Sequence, residues 1–346
     1  MPWYSTHGNH DGTVVGYFRA LAPQLALYWD QIATGNVPDF GSVMFLDLPT
    51  GMSIDTFEDC LGFPTPTCVT SIYENRVTRE VPANEDRAQY LTAKFLDMHF
   101  QSPALPGPVG HGFTEQNIAD NTLYYSFDMS DEVVGIVLDT VNISGEDGGS
   151  IGTNQQAWFA EQLQLNSSKY LDSSGNVVTT DNPDKLIVIF SHHNLMTMDN
   201  STSMRGDPDP VKVLAADIEK LVLNYPNVIL WVNGHSHVNR IWSHRSFNST
   251  ALLIPGFWEV NTASHIDYPQ QGRSIEIVDN KDGTLSIFGI IFDHLAPPKP
   301  NAANLNILNM ASISRELSVN DPDFNLAFQL GEPADLNVEL LIKKPF

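Results

Sequence analysis

Three short clusters constrain this chain more than any other feature: Gly8-Asn9-His10-Asp11, Ser191-His192-His193-Asn194 and Asn233-Gly234-His235-Ser236-His237. The second follows the run Lys185–Phe190, and the third follows Val228–Val232. Such short, almost uninterrupted apolar runs read as strands buried on both faces. The first cluster follows Pro2–Thr6, which also reads as a strand. Five imidazoles and one amide are thereby placed at strand ends that can converge. A lone histidine at such a position is ordinarily a hydrogen-bonded structural residue, but three sets delivered by three strand ends point to a metal site. Neutral imidazole is the commonest transition-metal ligand.

Around these clusters the pattern alternates strand and helix up to about residue 240. Helices are expected over Asn84–Phe100, with Ala88, Leu91, Phe95, Leu96 and Met98 on its apolar face, and over Asn154–Leu165, with Trp158, Phe159, Leu163 and Leu165 inward. A third is expected over Asp209–Asn224, started by Pro210. Leu123–Asp128 and Val133–Asp139 read as paired strands. Farther on, Ala251–Ile254, Arg273–Val278 and Leu285–Phe292 read as strands, the last two joined through an Asn280–Gly283 turn. A short helix over Ala311–Val319 and an apolar stretch over Val338–Ile342 close the pattern. The expected architecture is α/β, with two packed mixed β-sheets flanked by helices. Residues 1–296 would form the main domain, with 12–85 as an insertion-like region, and 297–346 a C-terminal extension packed on it.

Charge excludes one class of partner. With 18 Lys+Arg against 41 Asp+Glu, the formal net charge is −23. That balance opposes binding to a nucleic-acid backbone and would repel an anionic substrate unless a local cation intervened. No window is long and apolar enough for a membrane span. Cys60 and Cys68 bracket a short Gly/Pro-containing loop that suits a disulfide, which would imply an oxidising, extracytoplasmic compartment; two unrelated thiols are the other reading. Sequons start at Asn142, Asn166, Asn200 and Asn248 but carry little weight in a chain rich in Asn, Ser and Thr.

In chain order, Gly8-Asn9-His10-Asp11, His192 (or His193) and Gly234-His235-Ser236-His237 resemble the last three motifs of the calcineurin-like metallophosphoesterases. Asn84–Arg87, Leu138–Thr140, Gly256–Glu259 and Ala263–Gln271 resemble, more narrowly, a bacterial subfamily, many of whose members are exported. The resemblance implies a metal-dependent phosphoester hydrolase, acting on a phosphorylated small molecule or a phosphodiester through metal-activated water. It implies Asn9, His192 and His235 as ligands of one metal and His237 as a ligand of a second. His10 would assist the leaving oxygen, and Asp11 would orient His10. His193, His265 and Asp267 are candidates for the substrate pocket. The donor set suits Mn, Fe or Zn. His7, His99, His111, His244 and His294 carry no functional expectation.

The family's two earlier motifs, D-x-H and G-D-x-x-D, do not occur upstream, because seven residues precede Gly8. Gly206-Asp207 lies after the second cluster, next to prolines, and does not replace them. The expectation is a domain without its N-terminal strands, holding at most one metal weakly, with impaired hydrolysis. Three explanations stand: a fragment or an internal start, a non-catalytic metal-binding or interaction module on the same scaffold, or a site rebuilt with Asp11, Asp139 or Asp267.

Overall fold

The computed structural model describes residues 2–12, 92–101, 106–204, 207–245, 256–301, 303–322 and 326–346. A single helical turn, α1 (Asn9–Gly12), and helix α2 (Thr92–Gln101) come first, and α3 (Glu115–Asp120) leads into the hairpin β1 (Tyr125–Ser130) and β2 (Val133–Val137). The chain continues through β3 (Ile151–Gly152), α4 (Thr153–Leu165), the small hairpin β4 (Lys169–Leu171) and β5 (Val177–Thr179), and β6 (Leu186–Phe190). After β7 (Lys212–Val213), α5 (Ala215–Val222) and β8 (Val228–Asn233) come β9 (Arg240–His244) and β10 (Phe257–Asn261). The last elements are β11 (Gln271–Asp279), β12 (Thr284–Asp293), α6 (Ile307–Val319), α7 (Leu326–Leu330) and β13 (Val338–Lys343).

Two sheets pack face to face. The larger has six strands in the order β1-β2-β6-β8-β10-β9. Its centre, β2-β6-β8-β10, is parallel, and an antiparallel strand closes each edge. The smaller sheet is the antiparallel β11-β12-β13. Alternation along β6 divides its side chains between two cores. Ile187 and Ile189 join Phe159 and Leu163 of α4 and Ile218 and Val222 of α5 on the helix side. Leu186 and Val188 join Leu285, Ile287, Leu340 and Ile342 between the sheets. The fold is therefore mixed α/β, with the metal-motif loops at the ends of β6 and β8. β13 lies within the expected C-terminal extension and pairs with β12, Leu285 opposite Ile342.

Several elements differ from the sequence reading for identifiable reasons. Residues 2–8 form no ladder. Their described backbone tie is Ser5 N–H to the His111 carbonyl, and the Tyr125 hydroxyl donates to the Ser5 carbonyl. Asp209 does not open a helix. Its carboxylate accepts the Thr153 hydroxyl (2.9 Å) and the Asn154 N–H (2.7 Å), capping α4, while residues 212–213 pair with β3. The next helix starts at Ala215. Leu165 and Met98 are exposed rather than inward. α6 starts at Ile307, because the Asn306 side chain caps it through Asn309 N–H. Residues 84–91, the Cys60–Cys68 loop and Ala251–Ile254 lie outside the described residues.

No described helix is long and apolar enough to cross a membrane. At the Asn142 and Asn200 sequons the amides are buried. Asn142 Nδ2 donates to the Asn200 and Thr202 carbonyls, and Asn200 Nδ2 donates to those of Gly145 and Gly148.

Candidate metal centre

Parallel pairing of β6 with β8 brings the second and third clusters side by side. Two backbone bonds extend the ladder past the strand ends: Ser191 N–H to the Val232 carbonyl (3.2 Å) and Gly234 N–H to the His192 carbonyl (3.0 Å). Beyond Gly234 the chain turns sharply, and His235 (φ 65°) and His237 (φ 55°) both adopt left-handed backbone conformations. Such conformations cost non-glycine residues of order 1–3 kcal/mol each and persist only where the surroundings fix them. The alternating geometry sends the two imidazoles out of one short loop.

His192 Nε2 lies 2.7 Å from Asn9 Oδ1 and 3.1 Å from His235 Nδ1. The first cluster reaches it because Gly8 packs on the His192 ring, where a Cβ would stand 3.0 Å from Nδ1. At Gly234, by contrast, a Cβ would meet an ordinary contact at 3.9 Å, so the close approach is at Gly8. Burial pushes His192 down to about 2 and His235 down to about 3, and neighbouring imidazoles add to the effect. Both are neutral at ordinary pH, which is the ligand form. A single Nε2–H of His192 cannot serve Asn9 and His235 equally well. Three converging lone-pair donors in a buried setting fit one divalent cation with N/O preference, such as Mn, Fe or Zn.

His193 also lies within reach of His192 and His235. Its hydrogen bonds assign it another role. Nε2 faces the Asp147 carbonyl (2.8 Å) and must carry the proton; Nδ1 therefore accepts the Thr140 hydroxyl (2.8 Å). With both nitrogens engaged it has no lone pair for a metal. It is fully buried, against its expected place in a substrate pocket, because the ring packs on Gly149, where a Cβ would meet it at 2.5 Å. Burial holds its pKa down to about 4.

The remaining motif residues separate. His237 Nδ1 bonds the Asp267 carboxylate, which joins Asp267 to the metal loop. The Ser264 hydroxyl accepts the N–H groups of Ile266 and Asp267 and shapes that turn. His265 is exposed. His10 is exposed on α1 beside Asn9. Asp11 does not bond the His10 ring. Its carboxylate folds back to accept Gly8 N–H (3.0 Å), closing the single turn. Asp139, one of the carboxylates considered for a rebuilt site, bonds His7 Nδ1 at 3.0 Å.

Beneath the histidines lies a polar layer that the motifs did not reveal. Glu259 on β10 is 1% exposed, and its Oε1 accepts Leu195 N–H (2.8 Å) and Asn233 Nδ2 (2.8 Å). Its Oε2 bonds His244 Nε2 (2.7 Å), and His244 Nδ1 bonds Glu219 (2.7 Å). Burial alone would lower the His244 pKa, but hydrogen bonds to Glu259 and Glu219 overcome that and raise it. Asn194 Nδ2 donates to Asn261 Oδ1 at 3.1 Å. The available sequence signal was a lone acid inside the apolar frame Phe257-Trp258-Glu259-Val260.

No protein-family profile matches the chain, and no curated protein does. Among solved structures, a dimetal phosphatase from Danio rerio is similar over 67% of this chain and 77% of its own, at 12% identity and a TM-score of 0.36. What this site can do is therefore read from its own geometry.

Proposed function

We propose that this protein is a metal-dependent phosphoester hydrolase in which Asn9, His192 and His235 hold one divalent cation, Mn, Fe or Zn. The approach of both Asn9 Oδ1 (2.7 Å) and His235 Nδ1 (3.1 Å) to His192 Nε2 carries the reading. A bound cation would supply Lewis acidity and a water of lowered pKa for attack on a phosphomonoester or phosphodiester.

The chain's own residues supply the rest. His193, locked by Thr140 and Asp147, packs its ring against those of His192 and His235 and backs them. Asp267 fixes the His237 ring through Nδ1, leaving Nε2 as the atom available to a second metal or to substrate. His10, on the exposed side of α1, is the group placed to protonate a leaving oxygen; Asp11 keeps α1 closed and so holds Asn9 and His10 in relation to Gly8. His265, exposed in the loop that carries Asp267, is available to contact substrate.

The test has two parts. Elemental analysis and calorimetry with Mn²⁺ and Zn²⁺ should show one bound metal per chain, lost on His235→Ala. Hydrolysis of an aryl phosphate ester should then depend on added metal and fall on His10→Ala. Metal binding without turnover would replace the hydrolase with a non-catalytic metal-binding module on the same scaffold. Unchanged metal content in His235→Ala would remove the site altogether.

A further inference from the structure

The two loops that carry His192 and His235 are tied at their rims by Gly234 N–H to the His192 carbonyl (3.0 Å) and by Asn194 Nδ2 to the Gly234 carbonyl (3.5 Å). Behind those ties they meet through Glu259. One carboxylate oxygen takes Leu195 N–H, three residues beyond His192, and the Asn233 side chain, two residues before His235. Asn233 Oδ1 is buried without a partner, so the described hold on that amide is its donation to Glu259. The second carboxylate oxygen meets His244, which stacks on Phe257 (ring centroids 4.6 Å apart, planes at 10°) and reaches Glu219 on α5. A chain of side chains thus runs from a helix at the surface to the floor of the metal loops.

We propose that Glu259 is a positioning residue for the metal centre, fixing the separation of the His192 and His235 loops, with His244 as the group that fixes Glu259. The proposal rests on the assignment of the metal to Asn9, His192 and His235. It requires the length of the side chain and two polar terminal atoms, one of them an acceptor, and does not require negative charge. A glutamine can still accept Leu195 N–H and Asn233 Nδ2 through its oxygen and donate to a neutral His244 through its nitrogen.

Glu259→Ala and Glu259→Gln distinguish this role from a purely electrostatic one. Supporting residues behind metal ligands typically change affinity by about 10–100-fold when removed. Glu259→Ala is expected to weaken Co²⁺ binding by about that factor and to alter the visible Co²⁺ bands, whereas Glu259→Gln should stay within about threefold of the wild type. Wild-type affinity in a folded Glu259→Ala would overturn the proposal, as would a loss in Glu259→Gln as large as that in Glu259→Ala. If Glu259→Ala does not fold, Glu259→Asp decides: its carboxylate is one methylene short and cannot hold Leu195, Asn233 and His244 together.

Amide exchange separates this proposal from the metal assignment. In the metal-free protein, Glu259→Asp should speed exchange at Leu195 and Gly234, and unchanged exchange there would overturn the positioning role. A wild-type chain that binds no Co²⁺ would instead remove the metal assignment and leave the exchange result to judge Glu259.

Discussion

Largely buried histidines, three beyond the ends of β6 and β8 and one on β9, behave in opposite ways. His192, His193 and His235 are crowded by one another and held neutral by burial, with pKa values of about 2, about 4 and about 3. His244 is clamped between Glu219 and Glu259, and its pKa is raised. Burial acts in the same direction on both groups. The difference is the acidity of the neighbours: carboxylates beside a buried imidazole favour its protonated form, whereas imidazoles beside it disfavour that form. The contrast is consistent with a cluster that could hold a cation, without any appeal to sequence motifs.

The largest expected effect attacks the cationic side. His244→Gln leaves Glu259 buried without its counter-charge, and removing one member of a buried pair costs about 3–5 kcal/mol. Urea unfolding at pH 7 measures this, and a loss below about 1 kcal/mol would show that His244 is not charged in the folded protein. Next comes the neutral side. His235→Ala should reduce metal affinity at least about a hundredfold, since it removes a ligand rather than a support; calorimetry with Zn²⁺ reads it, and a change under tenfold would dissolve the contrast.

Smaller effects sharpen the comparison. Gly149→Ala forces a methyl onto the His193 ring and should cost about 1–3 kcal/mol, with overpacking as the cause. An equally stable variant would mean that the ring is free to move. Smallest per group is the pH response. The three depressed histidines bind fewer protons folded than unfolded below pH about 6.5, so each should lose under about 1 kcal/mol between pH 7 and 6. The contribution of His244 has the opposite sign: it is complete below its unfolded pKa and fades as pH rises through the raised folded value. The stabilities of wild type and His244→Gln across pH 5–8 should therefore be farthest apart on the acid side and draw together on the alkaline side. Parallel curves would contradict the raised pKa.

Much of this was legible in the sequence, and the exceptions have causes. β6 and β8 announce themselves because both faces are buried, so no polar residue interrupts them. That His192 and His235 lie side by side was legible because the ends of β6 and β8 deliver them together, whereas Asn9 reaches them from a segment that forms no ladder. β10 was not legible, because Glu259 and Asn261 break its apolar frame and find partners remote in sequence, such as Leu195 and Val238. The same distance hid the link between His244 and the site. Asp209 was misread because prolines on both sides mimic a helix start, while its carboxylate serves another helix across the fold. His193 illustrates the limit of motif reading: adjacent histidines look equivalent in sequence, and hydrogen bonds to Thr140 and Asp147 decide which one stays available.

The left-handed backbone at His235 and His237 has a kinetic consequence. Both residues already hold the dihedral angles that aim their rings, so capturing an ion requires little rearrangement of the chain. Association should then proceed in one phase, at a rate set by how readily the incoming cation sheds its own water, and exchange of one metal for another should follow their lability rather than any opening of the loop. Mn²⁺, whose hydration shell is labile, would enter and leave faster than a metal that releases water slowly, even where the slower ion is held more tightly.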